Sequence, residues 1–273
     1  MSNGPQRLDA FREVIWDHYR KHGRAMPWRA TSDPYHIVVS EFMLQQTQVS
    51  RVMQKFGPFV ERFPDWATLA SARLVEVLAQ WQGLGYNRRA KFLHQCAASV
   101  MQLHHGALPA DPNLLAGLPG IGRNTAGAVC AFAFNQPVVF IETNIRRVFL
   151  HFFFSDAEGI HDRELMPWIE AALDRDEPRR WYWALMDYGA VLKSQVTNPN
   201  RRSAHYTRQS PFEGSRRQIR GAVVRMFADG AARTLEQIRT DLDVAHDERL
   251  AGIVEELVVE EFLIRSGERY APV

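Results

Sequence analysis

Cysteine is scarce in this chain: its 273 residues include only Cys96 and Cys130. Two thiols cannot furnish a four-cysteine zinc or iron–sulfur site. Cys130 lies in the apolar run AVCAFAF and Cys96 in a helical pattern, so both read as core thiols. Long hydrophobic runs are missing as well. No stretch approaches the roughly 18 apolar residues of a membrane span. The start, MSNGPQRLDA, lacks the apolar centre of a signal peptide. The expected compartment is therefore the cytoplasm, with no membrane partner. No one sign of charge dominates, since the net charge is only +2. That excludes a strong bulk field and leaves the local distribution of charge to decide partners. Alternating strands and internal repeats are not apparent either, which leaves a mainly α fold.

What is present suits an ordinary globular protein, with 46% hydrophobic and 23% charged residues. The length allows more than one domain. LDAFREVIWDHYRKHG reads as a first helix ended by Gly23, and Asp33-Pro34 opens the next. Helical patterns follow in VSRVMQKFGPFVERF, LVEVLAQWQ, RRAKFLHQCAASVMQLH, NLLAGL and NTAGAVCAFAF. From about Ser215 the texture changes. RRQIRGAVVRMFADG predicts a helix stopped at Gly230, TLEQIRTDL a helix opened by Thr234, and HDERLAGIVEELVVEE a third. Two short strands around Ser266-Gly267 complete the order of a winged helix-turn-helix over 216–273. The third helix carries Glu248, Glu255, Glu256, Glu260 and Glu261, which repel phosphate and favour packing or protein contact over DNA reading. Between Arg201 and Arg220 lie six arginines and one acid, Glu213. Residues 201–215 read as a basic linker. Arg201, Arg202, Arg216 and Arg217 are also candidates for a phosphate-contacting strip.

Three motifs carry chemistry. In SEFMLQQTQV, Glu41 is the one carboxylate of an amphipathic helix that buries Phe42, Met43, Leu44 and Val49. Burial favours its protonated form and makes it a candidate general acid. Gln45 and Gln46 are placed to contact a polar ligand. In LPGIGR, Gly120 and Gly122 permit a tight turn whose backbone N–H groups open the next helix, a phosphate-binding nest or an ordinary helix–helix turn. In VVFIETNIRRV, four apolar residues lead into Glu142, with Asn144 placed to orient it by a hydrogen bond. Glu41 protonated and Glu142 ionised would form a two-carboxylate site suited to glycosidic bond cleavage.

These stretches, with PWR at Pro27 to Arg29, WQGLGYNRRAKFLH and MDYGA at Met186 to Ala190, resemble the helix-hairpin-helix DNA glycosylases. Within that superfamily they are most similar to the adenine DNA glycosylases, over about residues 25–192. The resemblance implies a two-lobed glycosylase domain over 1–200 with its active site in a cleft. It implies Glu41 as the acid that protonates the leaving base and helps activate water. Trp28, Arg29, Leu44 and Val49 match base-pocket walls. Gln45, with Gln46 beside it, and Tyr86 match the wedge that fills the space of an extruded base. Gly120, Gly122, Arg123 and Arg88 are expected on backbone phosphate. Double-stranded DNA is the expected partner, in a bacterial nucleoid setting when bound; no protein partner is implied.

Several departures shape the expected activity. Glu142 stands where the family has aspartate, and Asn124, on the pocket side of the hairpin, where bifunctional relatives have a lysine that forms a Schiff base. Trp183 replaces the Gln or Glu that reads adenine; indole offers one donor and no acceptor. Lys193 stands where the first cluster cysteine would be, so no iron–sulfur cluster and no other cofactor or metal is expected. The 8-oxoguanine-reading C-terminal domain has no counterpart in the sequence. The expectation is a monofunctional DNA glycosylase acting on adenine or a modified base. Thymine or uracil opposite guanine is the alternative, and a catalytically silent damage-sensing DNA-binding protein is the rival of another class.

Overall fold

A computed structural model describes residues 4–207, 211–243 and 247–273. Among them the helices are α1 (Gly4–His22), α2 (Pro34–Leu44), α3 (Val49–Arg62), α4 (Trp66–Ser71), α5 (Leu74–Trp81), α6 (Arg88–His104) and α7 (Pro112–Ala116). They continue with α8 (Arg123–Phe134), α9 (Thr143–Phe153), α10 (Asp162–Ala172), α11 (Pro178–Gln195), α12 (Arg216–Met226), α13 (Leu235–Asp241) and α14 (Arg249–Val259). Strands β1 (Arg233–Thr234), β2 (Leu263–Ser266) and β3 (Arg269–Pro272) form an antiparallel sheet in the order β1-β3-β2. The fold is mainly α, as the periodicity predicts. No described helix is long and apolar enough to cross a membrane.

The chain divides into two compact units, 1–41 with 109–117 and 121–208, and 42–108 with 118–120 and 209–273. Helix α2 passes from the first to the second after Glu41. In the first unit α8 is an inner helix, with every residue from Ala126 to Ala133 buried. Phe11 packs on Phe149, Phe153 and Trp181, tying α1 to α9 and α11 at ring separations of 5.2, 5.1 and 6.0 Å. The run Val138–Ile141 lies outside helix and strand and is pinned from α11 by Tyr182, whose hydroxyl donates to the Val138 carbonyl at 2.9 Å. That bond delivers Glu142 to the start of α9.

In the second unit, helices α3 to α6 enclose Phe56, Phe59, Phe63 and Trp81. Residues 216–273 build a core of their own around Val223, Phe227, Leu250, Ile253, Leu257 and Tyr270. Its local rules are legible. Thr234 and Gln237 form a capping box at the start of α13, and Gly230, at φ +77°, ends the turn that follows α12. The strand β1 pairs with β3, which makes a three-stranded sheet where the sequence pattern suggests a hairpin. This module shares its compact unit with 42–108, and Leu78 of α5 packs against its core.

The glutamates at the end of α14 and just after it explain that attachment. Glu260 accepts from Arg88 of α6 at 2.7 Å and from Arg220 of α12 at 2.7 Å. Lys91 of α6 reaches Glu261 at 2.7 Å, and Arg216 reaches Glu256 at 2.6 Å. The expected phosphate-repelling face is thus largely an internal ion-pair network. It also engages Arg88 and Arg216, both expected on DNA phosphate. The expected basic strip is divided as well: Arg201 and Arg202 lie in the first unit, Arg216 and Arg217 in the second. Arg208 falls outside the described residues.

Candidate active site

Glu41 ends the first segment of the first unit and sits in the last turn of α2, a helix with apolar residues on several sides. Its side chain is nearly inaccessible, at 8% exposure. Burial pushes its carboxyl well above the ordinary 4.5, the charge of Glu142 pushes it further, and the Arg29 guanidinium opposes both. Glu142 is the residue before α9, with φ −128° and ψ 171°, and its side chain makes no capping bond to the helix. A carboxylate at a helix start ordinarily folds back onto the first N–H groups. This one is directed elsewhere, and burial raises it to about 7 against the pull of Arg146. The two carboxyls therefore interact strongly enough to titrate as a pair, and both are raised.

The turn that carries Glu142 is held from below. Arg147, 4% exposed, donates to Asn144 Oδ1 at 2.7 Å, to the Gly189 carbonyl at 2.6 Å and to Asn198 Oδ1 at 3.2 Å. Asn200 Nδ2 donates to the Thr143 carbonyl at 3.1 Å. Gly189 is obligatory, because a Cβ there would sit 2.5 Å from the Asn144 carbonyl oxygen. Asn144 was expected to orient Glu142 directly. Its oxygen instead accepts from Arg147, so its link to Glu142 runs through the backbone.

Arg29 closes one side. The turn Pro27–Arg29 buries Trp28, and Arg29 donates two bonds of 2.9 Å to the carboxylate of Asp187, which is itself 1% exposed. Arg24 shares that carboxylate at 2.8 Å. The two cations hold Asp187 below its ordinary range despite burial. The Arg29 guanidinium lies 5.4 Å from the ring of Trp183, whose other neighbour is Phe132 in a stacked contact at 6.1 Å. Trp183 is thus a half-buried wall. Arg29 and Trp183 line a cleft of about 510 Å³, with Tyr19, Arg20, Arg24, Met26 and Arg180. None of these last five stood out in the sequence. Asn124 and Arg123 are exposed in the first turn of α8, after the exposed Gly122. Arg201 is exposed, and Arg202 is half-buried against the Leu150 carbonyl.

The second unit carries the other expected residues. Leu44 and Val49 are half-buried at the end of α2 and the start of α3. Gly120 has φ +75°, and a Cβ there would meet Phe42 and Phe92 at 2.7 Å, so the hairpin tip requires glycine. Gln46 and Tyr86 both hold the left-handed region, at φ 53° and 50°, strained for residues with a side chain. A residue that sequence reasoning missed holds them there. Arg89, 7% exposed, donates to the carbonyls of Phe42 (2.7 Å), Met43 (2.9 Å) and Gln45 (2.6 Å). It also donates to Thr47 Oγ1 (2.9 Å) and to the Leu84 and Gly85 carbonyls (3.1 and 2.9 Å). One guanidinium thereby ties the loop of Gln45 and Gln46 to the loop of Tyr86. The only signal was the Arg88-Arg89 doublet, whose two members face opposite ways: one exposed, one buried.

Comparison with known proteins identifies the family. The HhH-GPD superfamily model, described as base excision DNA repair protein, matches residues 39–170. The chain is 32% identical to an adenine DNA glycosylase of Mycobacterium tuberculosis, covering 89% of this chain and 84% of that one. It is 35% identical to the adenine DNA glycosylase of Mycolicibacterium smegmatis, covering 84% and 82%. Among solved structures, a thermostable thymine-DNA glycosylase superposes with TM-score 0.64 at 23% identity, over 70% of this chain and 89% of that one. A non-covalent endonuclease III–DNA complex superposes with TM-score 0.55 at 19% identity, over 75% and 90%. At those identities the solved structures establish the fold alone.

Proposed function

Because the chain belongs to the HhH-GPD superfamily of base excision DNA repair proteins, we propose that it is a monofunctional DNA glycosylase that leaves an abasic site in double-stranded DNA. The observation that carries the chemistry is the pair of the buried Glu41 and the half-buried Glu142, whose carboxyls repel and are both raised. With one proton shared unequally, Glu41 is the acid and Glu142 the anion. Glu41 donates its proton to a ring nitrogen of the extruded base as the bond to C1′ of the sugar breaks. The bonding electrons leave with the base, and the sugar becomes an oxocarbenium-like cation that the Glu142 carboxylate stabilises. A water adds to C1′ and gives its proton to Glu41, which restores the starting state.

Asn124 supports hydrolysis without a covalent step, since an amide cannot form a Schiff base with the sugar aldehyde. The reaction needs no metal or cluster, and two buried cysteines on separate helices could not hold a four-thiolate one. The base is adenine, as in the curated relatives, or a modified base. Trp183 favours the second, because its single donor cannot read an adenine edge while its ring narrows the cleft beside Arg29. Single-turnover assays on duplexes carrying adenine, thymine, uracil, oxidised and hypermodified bases test this, with alkali to reveal abasic sites. Release of one base without alkali-independent nicking supports the reading. A borohydride-trapped covalent complex would contradict its monofunctional part.

A further inference from the structure

The second unit carries a series of side chains that the chemistry above leaves unused. Tyr86 stands in the loop before α6 and is 38% exposed. The buried guanidinium of Arg89 lies 5.5 Å from the centre of that ring. On the outside, Arg217 of α12 donates Nη1 to the Tyr86 hydroxyl at 3.0 Å. The Arg217 guanidinium also lies 6.0 Å from the ring centre of Phe212, which is 61% exposed. Arginine and aromatic ring thus alternate four deep, from the interior of the unit to its surface. Phe212 is a large apolar ring left in water, with a planar cation beside it.

We propose that Phe212 and Arg217, together with Tyr86, form a stacking site for the unpaired nucleobase left in the opposite strand when its partner is extruded. The inference rests on the reading of the chain as a base-flipping glycosylase in which Tyr86 enters the duplex. Extrusion deprives the remaining base of its pair and of stacking on that side, and the side chains next to the wedge are the first it meets. Every base has a π face, and aromatic rings and guanidinium planes accept it. The geometry also decides how this base is read. Arg217 turns its N–H groups to the Tyr86 hydroxyl and, at 3.3 Å, to the Pro211 carbonyl. What it offers the base is its face rather than its donor edge, so the site holds any of the four bases.

The test is equilibrium binding of the full chain to duplexes holding a tetrahydrofuran abasic analogue opposite G, A, C or T, and to the fully paired duplex. Phe212→Ala is expected to weaken binding about 10-fold at the analogue whatever base stands opposite. It should leave binding to the paired duplex within twofold and the melting temperature unchanged, because the ring is exposed. Phe212→Tyr should restore affinity. With 2-aminopurine opposite the analogue, wild type should quench its fluorescence and Phe212→Ala should not. Unchanged affinity, an equal loss on the paired duplex, or a loss confined to one opposing base would each overturn the proposal. If Phe212→Ala is silent while wild type still prefers the analogue duplex, only this inference falls. If wild type shows no such preference, the glycosylase reading falls with it.

Discussion

Replacing Arg89 by methionine keeps most of the side-chain volume and removes every donor. Six acceptors at the end of α2 and in the two loops lose Arg89 as a donor: the carbonyls of Phe42, Met43, Gln45, Leu84 and Gly85, and the hydroxyl oxygen of Thr47. Hydrogen bonds to a charged donor each contribute about 1.5–3 kcal/mol when buried. They are not additive here, because some of the acceptors recover water once the loops relax. A net loss of about 3–5 kcal/mol is the expected scale. For a chain of this size that corresponds to a fall in melting temperature on the order of 10 °C. Arg89→Lys should recover at most half, since an ammonium has three donors against the six acceptors and no planar fork. The second consequence is functional. Gln46 and Tyr86 occupy left-handed backbone that the loops alone do not favour, so base release should slow in both variants even well below the melting temperature. Differential scanning calorimetry and single-turnover base release measure the two effects. A methionine variant that melts within 2 °C of wild type would refute the reasoning.

The carboxylate pair predicts a pH-dependent stability. Glu142 is raised from 4.5 to about 7, so the folded state holds its proton more tightly than the unfolded chain does. Stability from this group is fully present below about 4.5 and is lost as pH rises through about 7, roughly 3 kcal/mol in all. Glu142→Gln should therefore be more stable than wild type at pH 8 and equal to it at pH 4, as denaturant titration at both values will show. An advantage at pH 4 of the same size would contradict the assignment. Trp183→Ala removes the stacking partner of Phe132 and opens the cleft beside Arg29; relative excision rates across a panel of bases should become more even, with a stability loss of about 1–2 kcal/mol. Arg147→Met removes the guanidinium that Asn144, Asn198 and Gly189 share under the Glu142 turn. It should cost about 2–4 kcal/mol and slow base release without changing DNA affinity, a split that binding and single-turnover assays can read separately.

The parts of this protein that follow local rules were legible in its sequence. Helix α6 begins at Arg88 and ends at His104, the limits of the stretch RRAKFLHQCAASVMQLH read as helical. Gly230 and Thr234 punctuate the C-terminal module where their chemistry demands. The burial of Glu41 was legible because a lone carboxylate set among apolar helical residues is carried inward with them. What was hidden depends on contacts between residues far apart in sequence. Arg89 could not be told from Arg88 by composition, since one binds six acceptors up to 47 residues away and the other an acid 172 residues away. The glutamates at and just beyond the end of α14 read as a repelling face because their partners, on α6 and α12, are not visible from that stretch itself. Asn144 looked poised for Glu142, two residues away, but its side chain is drawn to the buried Arg147 three residues on, whose guanidinium donates to its oxygen.

The central claim is that Glu41 supplies the proton that frees the base. Glu41→Gln removes that proton donor while changing one heavy atom, and it also relieves the repulsion with Glu142, so the variant should fold at least as well as wild type. Single-turnover base release on the preferred duplex is the measurement, with binding to the same duplex recorded alongside. The account predicts release slower by at least about 10²-fold, with affinity within a few-fold of wild type. Release at the wild-type rate would contradict it.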